Sequence, residues 1–287
     1  MTTHLSVSAS GSFTLGGDLT VHRLGFGAMR LTGEGVWGDP KDPAEARRVL
    51  RRAVELGINF IDTADAYGPG VNERLIAEAL HPYPKDLVIA TKGGLTRQGP
   101  EEWEPVGRPE YLRQCVEMSL RRLKVERIDL YQLHRIDKQV PLEDSLGALA
   151  DLQKAGKIRH IGLSEVTAED MERAAKTAKI VSAQNEYNIG NRQSGNTLEY
   201  CEKHGLAFIP WFPIGGGDLV KPGGPLDKAA KRHHATIVQL ALAWLLHRSK
   251  VMLPIPGTSS VAHLEENAGA ASLQLDESEW AELEKPA

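Results

Sequence analysis

The chain is short of several things at once. Of its 287 residues only two are cysteine. Cys115 and Cys201 form neither a Cys-x-x-Cys pair nor a metal-ligand spacing, so they read as free, buried or half-buried thiols of a reducing compartment. No run of about 18 apolar residues exists to span a bilayer. Met1 to Ser12 is polar and lacks the apolar core of a signal segment, so the expected location is the cytoplasm, with no membrane partner. No charge sign dominates: 34 Lys and Arg against 38 Asp and Glu leave a net charge of −4. A phosphate-backbone partner would need a basic face, so nucleic acid is not expected. What is present is ordinary, 41% hydrophobic and 25% charged residues, in a length that suits one α/β barrel of about 250 residues.

The patterning supports that architecture. Ser12–Leu15 and Leu19–Leu24 flank Gly16–Gly17–Asp18, a tight-turn sequence, and read as a hairpin. Eight short apolar runs follow: Leu24–Met29, Asn59–Asp62, Leu87–Thr91, Ile128–Leu133, His160–Leu163, Val181–Gln184, Ala207–Phe212 and Met252–Ile255. None alternates cleanly, which is the pattern of strands covered on both faces. Between them lie helical segments at Pro43–Leu56, Pro109–Leu123, Leu142–Ala155, Ala168–Ala178, Gly195–His204 and Ile237–His247, with Val261–Ala271 and Ser278–Glu284 closing the chain. Pro starts the first two and Gly57 follows the first; Thr167 with Asp170 forms a capping box, and Thr236 is an N-cap. Repeated βα units without a linker predict a single (β/α)₈ barrel over residues 1–287. The rival doubly wound sheet needs a third glycine after Gly25 and Gly27, where Arg30 stands instead.

In such a barrel, chemistry sits at the C-terminal ends of the strands. Asp62 ends the second run, Tyr67 lies in the loop after it, Lys92 ends the third and His134 follows the fourth. Singly, each has a bland reading: an N-cap, a loop aromatic, a solvated lysine, a core histidine. On consecutive strand ends they make one chemical device. A lysine beside a tyrosine stabilises its phenolate and lowers its pKa, a carboxylate holds the lysine, and a histidine orients a carbonyl oxygen. That is what hydride transfer to a carbonyl requires.

With these residues in place, the sequence from Arg23 to about Ala271 resembles the aldo-keto reductases. Gly57–Ile58–Asn59–Phe60–Ile61–Asp62–Thr63–Ala64–Asp65–Ala66–Tyr67–Gly68, Ala90–Thr91–Lys92 and Asp129–Leu130–Tyr131–Gln132–Leu133–His134 are similar to the family's motifs, in order. The resemblance implies Tyr67 as general acid, tuned by Lys92 and Asp62, with His134 orienting the carbonyl. It implies Ser164, Glu165 and Gln184 as contacts of a nicotinamide carboxamide, Glu165 replacing a customary Asn, and Trp211 as the ring that stacks on the nicotinamide. Phe212, Pro213, Gly215, Gly217 and Leu219 fall in a loop that straps over the pyrophosphate. Gly257, Thr258, Ser259 and His263 fall where the adenosine phosphate is held, although the Lys and Arg frequent near Gly257 and His263 are missing. Glu266 and Asn267 resemble the adenine contacts. The implied cofactor is NADPH, with NADH possible.

The expected partner is a small carbonyl substrate, and the expected state a monomer or weak homo-oligomer. Trp37 and Trp103 are expected to wall the substrate pocket; Arg135 is read as solvated, contact with an anionic substrate group being its alternative. The hairpin, the 184–188 stretch and the 257–264 stretch most resemble bacterial and yeast-type pyridoxal reductases, which makes a pyridoxal-like aromatic aldehyde the candidate substrate. The alternative is a regulatory subunit that binds the nicotinamide cofactor with little turnover, as the potassium-channel β-subunits of this superfamily do. A metal-dependent hydrolase barrel would need a convergent His set, and the first run ends in Gly27–Ala28–Met29; no metal is expected, and His233–His234 is read as a solvated pair.

Overall fold

The computed structural model describes residues 5–215 and 225–283. It opens with the hairpin β1 (Ser12–Leu15) and β2 (Leu19–His22). Then come β3 (Phe26–Gly27), α1 (Pro43–Glu55), β4 (Phe60–Asp62), α2 (Val71–Leu80), β5 (Val88–Gly93), the small hairpin β6 (Leu95–Thr96) and β7 (Glu104–Pro105), α3 (Pro109–Leu123), β8 (Ile128–Leu133), α4 (Leu142–Lys154) and β9 (Ile158–Ser164). The rest is α5 (Ala168–Ala174), β10 (Ile180–Glu186), α6 (Gly195–His204), β11 (Ala207–Trp211), α7 (Pro225–Arg232), α8 (Ile237–Arg248), α9 (Val261–Gly269) and α10 (Glu277–Leu283). Seven strands pair in parallel in the order β3-β4-β5-β8-β9-β10-β11.

The eighth run, Met252–Ile255, takes the eighth position without becoming a strand. Leu253 N donates to Phe208 O at 2.8 Å on one side, while on the other Gly25 N donates to Pro254 O at 2.9 Å and Gly27 N to Pro256 O at 3.3 Å. Pro254 and Pro256 have no N–H to return, so a regular ladder cannot form. The run still bridges β11 to β3, and the barrel is nearly closed.

Cap chemistry explains where helices begin. Thr167 and Asp170 form the expected capping box of α5, and Thr236 forms a second with Gln239 at α8. Asp42 caps α1, its Oδ1 accepting from Glu45 N at 2.9 Å. α5 ends at Ala174 rather than Ala178 because the chain tightens there into three-residue bonds, Lys176 N to Arg173 O and Thr177 N to Ala174 O. α2, α7 and the β6–β7 hairpin were not foreseen. α2 lacks a side-chain cap and follows Gly70 at φ +71°, and it buries Asn72 and Glu73, which breaks the apolar period that announces a helix.

The β1–β2 hairpin seals the N-terminal end of the barrel. Leu15, Leu19 and Val21 join the interior cluster with Phe60, Leu130 and Ile209. Its turn is locked from outside: Asp18 Oδ1 meets His160 Nε2 at 2.6 Å, and Asp18 Oδ2 accepts from Arg159 Nη2 at 2.8 Å. Gly16 has φ +66°, and a Cβ there would stand 2.2 Å from His160 Cε1. Gly16→Ala should therefore destabilise the fold by about 1–3 kcal/mol, read as a lower urea midpoint. An unchanged midpoint would show that the turn is not docked as described.

Candidate active site

The register of the sheet sets the side chains in place. Asp62 pairs with Ala90, Lys92 with Gln132 and Ser164 with Gln184, all near the C-terminal mouth. Lys92 is fully buried. Its Nζ donates to Asp62 Oδ1, to Thr63 O at 2.9 Å and to Tyr67 Oη at 3.3 Å. All three protons of the ammonium are thereby used, which a buried cation requires. Asp62 Oδ2 accepts from Gln132 Nε2 at 3.0 Å and Gln184 Nε2 at 2.8 Å.

Gln132 was not singled out from the sequence. Its place between Tyr131 and Leu133 looks like core strand, and only the register shows it beside Lys92. Gly162 makes room for it: a Cβ there would come within 3.1 Å of Gln132 Cγ and 2.2 Å of Ser182 Oγ.

The electrostatics follow from burial and from this pair. Burial pushes Lys92 down, but the charge of Asp62 and the phenol of Tyr67 outweigh it and leave the ammonium above its usual range. For Tyr67, burial raises the pKa, Lys92 opposes it and Asp62 adds to it, so the net shift is upward. The lysine pulls in the expected direction, but desolvation wins and the expected net lowering does not occur. Tyr67 is a phenol, not a phenolate, across the neutral range. His134 is buried and flanked by Lys92, Arg135 and Arg97, and burial with these charges holds it well below the usual histidine range. It is a neutral imidazole, able to donate one hydrogen bond.

Above these groups opens a cavity of about 660 Å³. Of the residues expected in a site, it is lined by Asp62, Tyr67, Trp103, His134, Ser164, Gln184, Trp211, Phe212, Pro213, Gly215 and Gly257. Lys92 lies beneath it. Trp103 reaches the wall on the β6–β7 hairpin, its ring edge-on to Tyr67 and His134 at centroid distances of 6.3 Å each. Trp37 is not among the lining residues. Its ring lies 5.6 Å from the guanidinium of Arg97, which packs 3.6 Å above Trp103. Arg97 also donates to Gly35 O, Val36 O, Ala66 O, Gly99 O and Glu102 O, tying the loops that follow β3, β4 and β5 into one rim.

Ser164 and Gln184 are almost completely buried on the cavity floor. Glu165 is exposed at φ +55°, a conformation that Asn tolerates more readily. Its Oε1 accepts from Trp211 Nε1 and from Glu186 N, so it props the indole at the rim rather than lining the cavity. Phe212 beside it is 41% exposed, a large apolar side chain open to solvent.

None of Thr258, Ser259, His263, Glu266 and Asn267 lines this cavity: the first two precede α9 and the other three lie along it. Thr258 Oγ1 accepts from Ser260 N at 3.2 Å, and Val261 N donates to Glu45 Oε1 at 3.1 Å. A carboxylate of this chain thus already holds the first amide of that helix. Gly217 and Leu219 lie outside the described residues. Of the His233–His234 pair, His234 is exposed as expected, while His233 is half-buried on the outer helices, its Nε2 meeting Glu279 Oε1 at 2.9 Å. Arg135 is not solvated either; it is half-buried and lines the cavity.

A strand-end lysine–carboxylate pair under a tyrosine, with a neutral histidine beside it, in a parallel barrel defines a carbonyl oxidoreductase arrangement. The comparisons agree. Residues 23–286 match the model of the aldo/keto reductase family, and the chain belongs to that family. It is 55% identical over 269 residues to an uncharacterized oxidoreductase of Schizosaccharomyces pombe, covering 94% of this chain and 88% of that one. It is 45% identical over 275 residues to pyridoxine 4-dehydrogenase of Escherichia coli, covering 94% and 96%. Its fold matches the crystal structure of an aldo-keto reductase from Klebsiella pneumoniae in complex with NADPH, with a TM-score of 0.81, 26% identity and coverage of 95% and 93%.

One buried acid lies beside this machinery without entering it. Asp65, on the loop leading to Tyr67, has an Oδ1 with no hydrogen-bond partner among the described residues. Burial, reinforced by the charge of Glu73, pushes its carboxyl up to about 7. The folded state therefore holds a proton that the unfolded chain gives up near pH 4, and stability from this group is lost as pH rises through about 7. Asp65→Asn should raise the urea midpoint, and by more at pH 8 than at pH 5. An equal gain at both values would rule out this titration.

Proposed function

We propose that the protein reduces aldehydes and ketones to alcohols with a nicotinamide cofactor, Tyr67 serving as the proton donor. The observation that carries this reading is the Asp62–Lys92–Tyr67 chain of hydrogen bonds at the floor of the cavity. A reduced nicotinamide, when bound, supplies the hydride. Tyr67, protonated at neutral pH, gives its phenolic proton to the carbonyl oxygen as negative charge develops there. Lys92 stabilises the phenolate that remains, and Asp62, held by Gln132 and Gln184, keeps the ammonium charged and in place. His134 donates its single N–H to the carbonyl oxygen and fixes its angle of approach.

The residues suit a nicotinamide cofactor. Gln184 commits its amide N–H groups to Asp62 and to Gln132 Oε1, so its own Oε1 remains to accept from a carboxamide. Ser164 Oγ receives a hydrogen bond from Arg135 Nη1 at 3.1 Å, which leaves its hydroxyl proton to donate. A carboxamide needs one acceptor and one donor, and Glu165, which cannot donate when ionised, is not needed for either. Trp211 and Phe212 offer faces for stacking. NADPH is the cofactor we assign first, supported by the NADPH complex of the related barrel, and NADH remains the second. A pyridoxal-like aromatic aldehyde fits the aromatic wall, a choice supported by the similarity to pyridoxine 4-dehydrogenase.

Tyr67→Phe keeps the ring and removes the proton. It should bind cofactor normally yet lose about 10²–10⁴-fold in kcat, followed by the loss of reduced-nicotinamide absorbance with pyridoxal and a panel of carbonyls. In the wild type, reduction should hold steady through the neutral range and fall only in strong alkali, because the shift of Tyr67 is upward. A fully active Tyr67→Phe sinks the mechanism. Cofactor binding with no turnover by the wild type on any carbonyl would favour the regulatory-subunit reading.

The adenosine end makes a separate prediction. Glu45, drawn below the usual carboxylate range by Val261 N–H and by Arg48, sets a negative charge beside Thr258–Ser260, where a 2′-phosphate would lie. Glu45→Gln keeps the acceptor and removes the charge. The ratio of NADPH to NADH affinity should rise several-fold on this substitution, measured by quenching of tryptophan fluorescence. An unchanged ratio would place the phosphate elsewhere.

A further inference from the structure

We infer that Arg135 is the anchor for an anionic oxygen next to the reacting carbonyl, so that the preferred substrates are aldehydes and ketones carrying an ionised phenol or carboxyl beside the carbonyl carbon. This rests on the reductase reading above and adds to it the charge of the substrate.

Three observations lead here. Arg135 follows His134 directly and lines the same cavity. Its Nη1 is fixed by His134 O at 2.7 Å and Ser164 Oγ at 3.1 Å, so the plane of the guanidinium is set by the catalytic strand itself. Yet among the described residues it has no ion pair. Glu165, whose charge it feels, turns its Oε1 to Trp211 and Glu186 instead. A half-buried guanidinium without a counter-ion is costly, and its unused N–H groups form a fork suited to oxygen anions.

The cofactor does not meet that need. Its phosphates are assigned to the loops after the seventh and eighth barrel positions, and Arg135 stands after the fourth, with the fifth and sixth between. Arg97, the other arginine near Trp103, is spent on five carbonyl groups and two indole faces. Of the two arginines among the described residues that line the cavity, Arg30 stands beside Gly257, and Arg135 stands next to His134, at the reacting end. The same charge bears on Tyr67 and His134, favouring phenolate and neutral imidazole, so an anion arriving at Arg135 also sits where its charge is tolerated. A flat ring against Trp103, with its carbonyl at Tyr67 and an ortho oxyanion at Arg135, satisfies each group at once.

The test uses two aldehydes that differ at this oxygen, 3-hydroxypyridine-4-carbaldehyde, ionised at its ring oxygen near neutral pH, and its 3-methoxy analogue, in which a methyl group blocks that ionisation. The quantity read is the ratio of their kcat/KM values, which cancels any loss common to both. Arg135→Gln should lower that ratio about ten- to a hundredfold, chiefly through KM of the ionised aldehyde, and Arg135→Lys should restore part of it. Equal losses on both aldehydes would overturn the anchor and leave Arg135 as a support of Ser164 alone; an unchanged ratio would overturn it too. If neither aldehyde nor any other carbonyl is turned over by the wild type, the reductase reading itself fails, and the anchor falls with it.

Discussion

The buried ion pair of Lys92 and Asp62 is the constraint around which the mouth of the barrel is arranged. An ammonium taken out of water costs several kcal/mol unless paired and fully hydrogen-bonded. The structure meets that demand with three acceptors on Nζ and two amide donors on the far oxygen of Asp62. The partners come from three strand ends and the loop after one of them: Asp62 from β4, Thr63 and Tyr67 from the loop after it, Gln132 from β8 and Gln184 from β10. Removing any one leaves a polar group of the core unsatisfied. The pair therefore gives more than a tuned phenol; it fixes the relative register of half the barrel at the level where chemistry is proposed.

Tyr67 shows how that arrangement decides a pKa. A lysine at 3.3 Å suggests a phenolate when considered by itself. The same walls that strengthen the lysine's pull also exclude water from the phenolate, and the carboxylate that holds the lysine repels it. The sum is a phenol, which is the form a reductase needs at rest. In the proposed proton transfer, Lys92 acts when the charge it faces appears.

The fold was legible because βα barrels write their strands as unbroken apolar runs and their helices between proline and glycine. Asp62, Tyr67, Lys92 and His134 were legible because strand ends are counted along the chain. What was not legible depended on neighbours across the sheet. Gln132 looks like filler until register sets it beside Lys92. Arg135 looks solvated until the cavity curves round it. The apolar residues of the eighth run announce a strand, but Pro254 within it and Pro256 just after it forbid the ladder. α2 was missed because Asn72 and Glu73 are buried with partners of their own, Thr63 and Ala28 for one, Thr91 and Arg122 for the other, and no hydrophobic period survives that exchange.

The site divides by the kind of element that builds it. Its floor is made of strand residues whose positions the sheet dictates, and it carries the groups that any carbonyl reduction requires. Its rim is made of loops, and there this chain is most individual: Arg97 binds three loops through their carbonyls, Glu165 supports Trp211 from a left-handed backbone, and Arg135 lines the cavity without an ion pair among the described residues. A loop held by backbone contacts to one arginine is free to vary in sequence while keeping its shape. Selectivity for a substrate can then change through single rim residues while the strand residues of the floor keep their positions, the two meeting at the Trp103 ring, at the His134–Arg135 peptide and at Ser164. At that junction the charge of a substrate and the chemistry of its carbonyl become coupled.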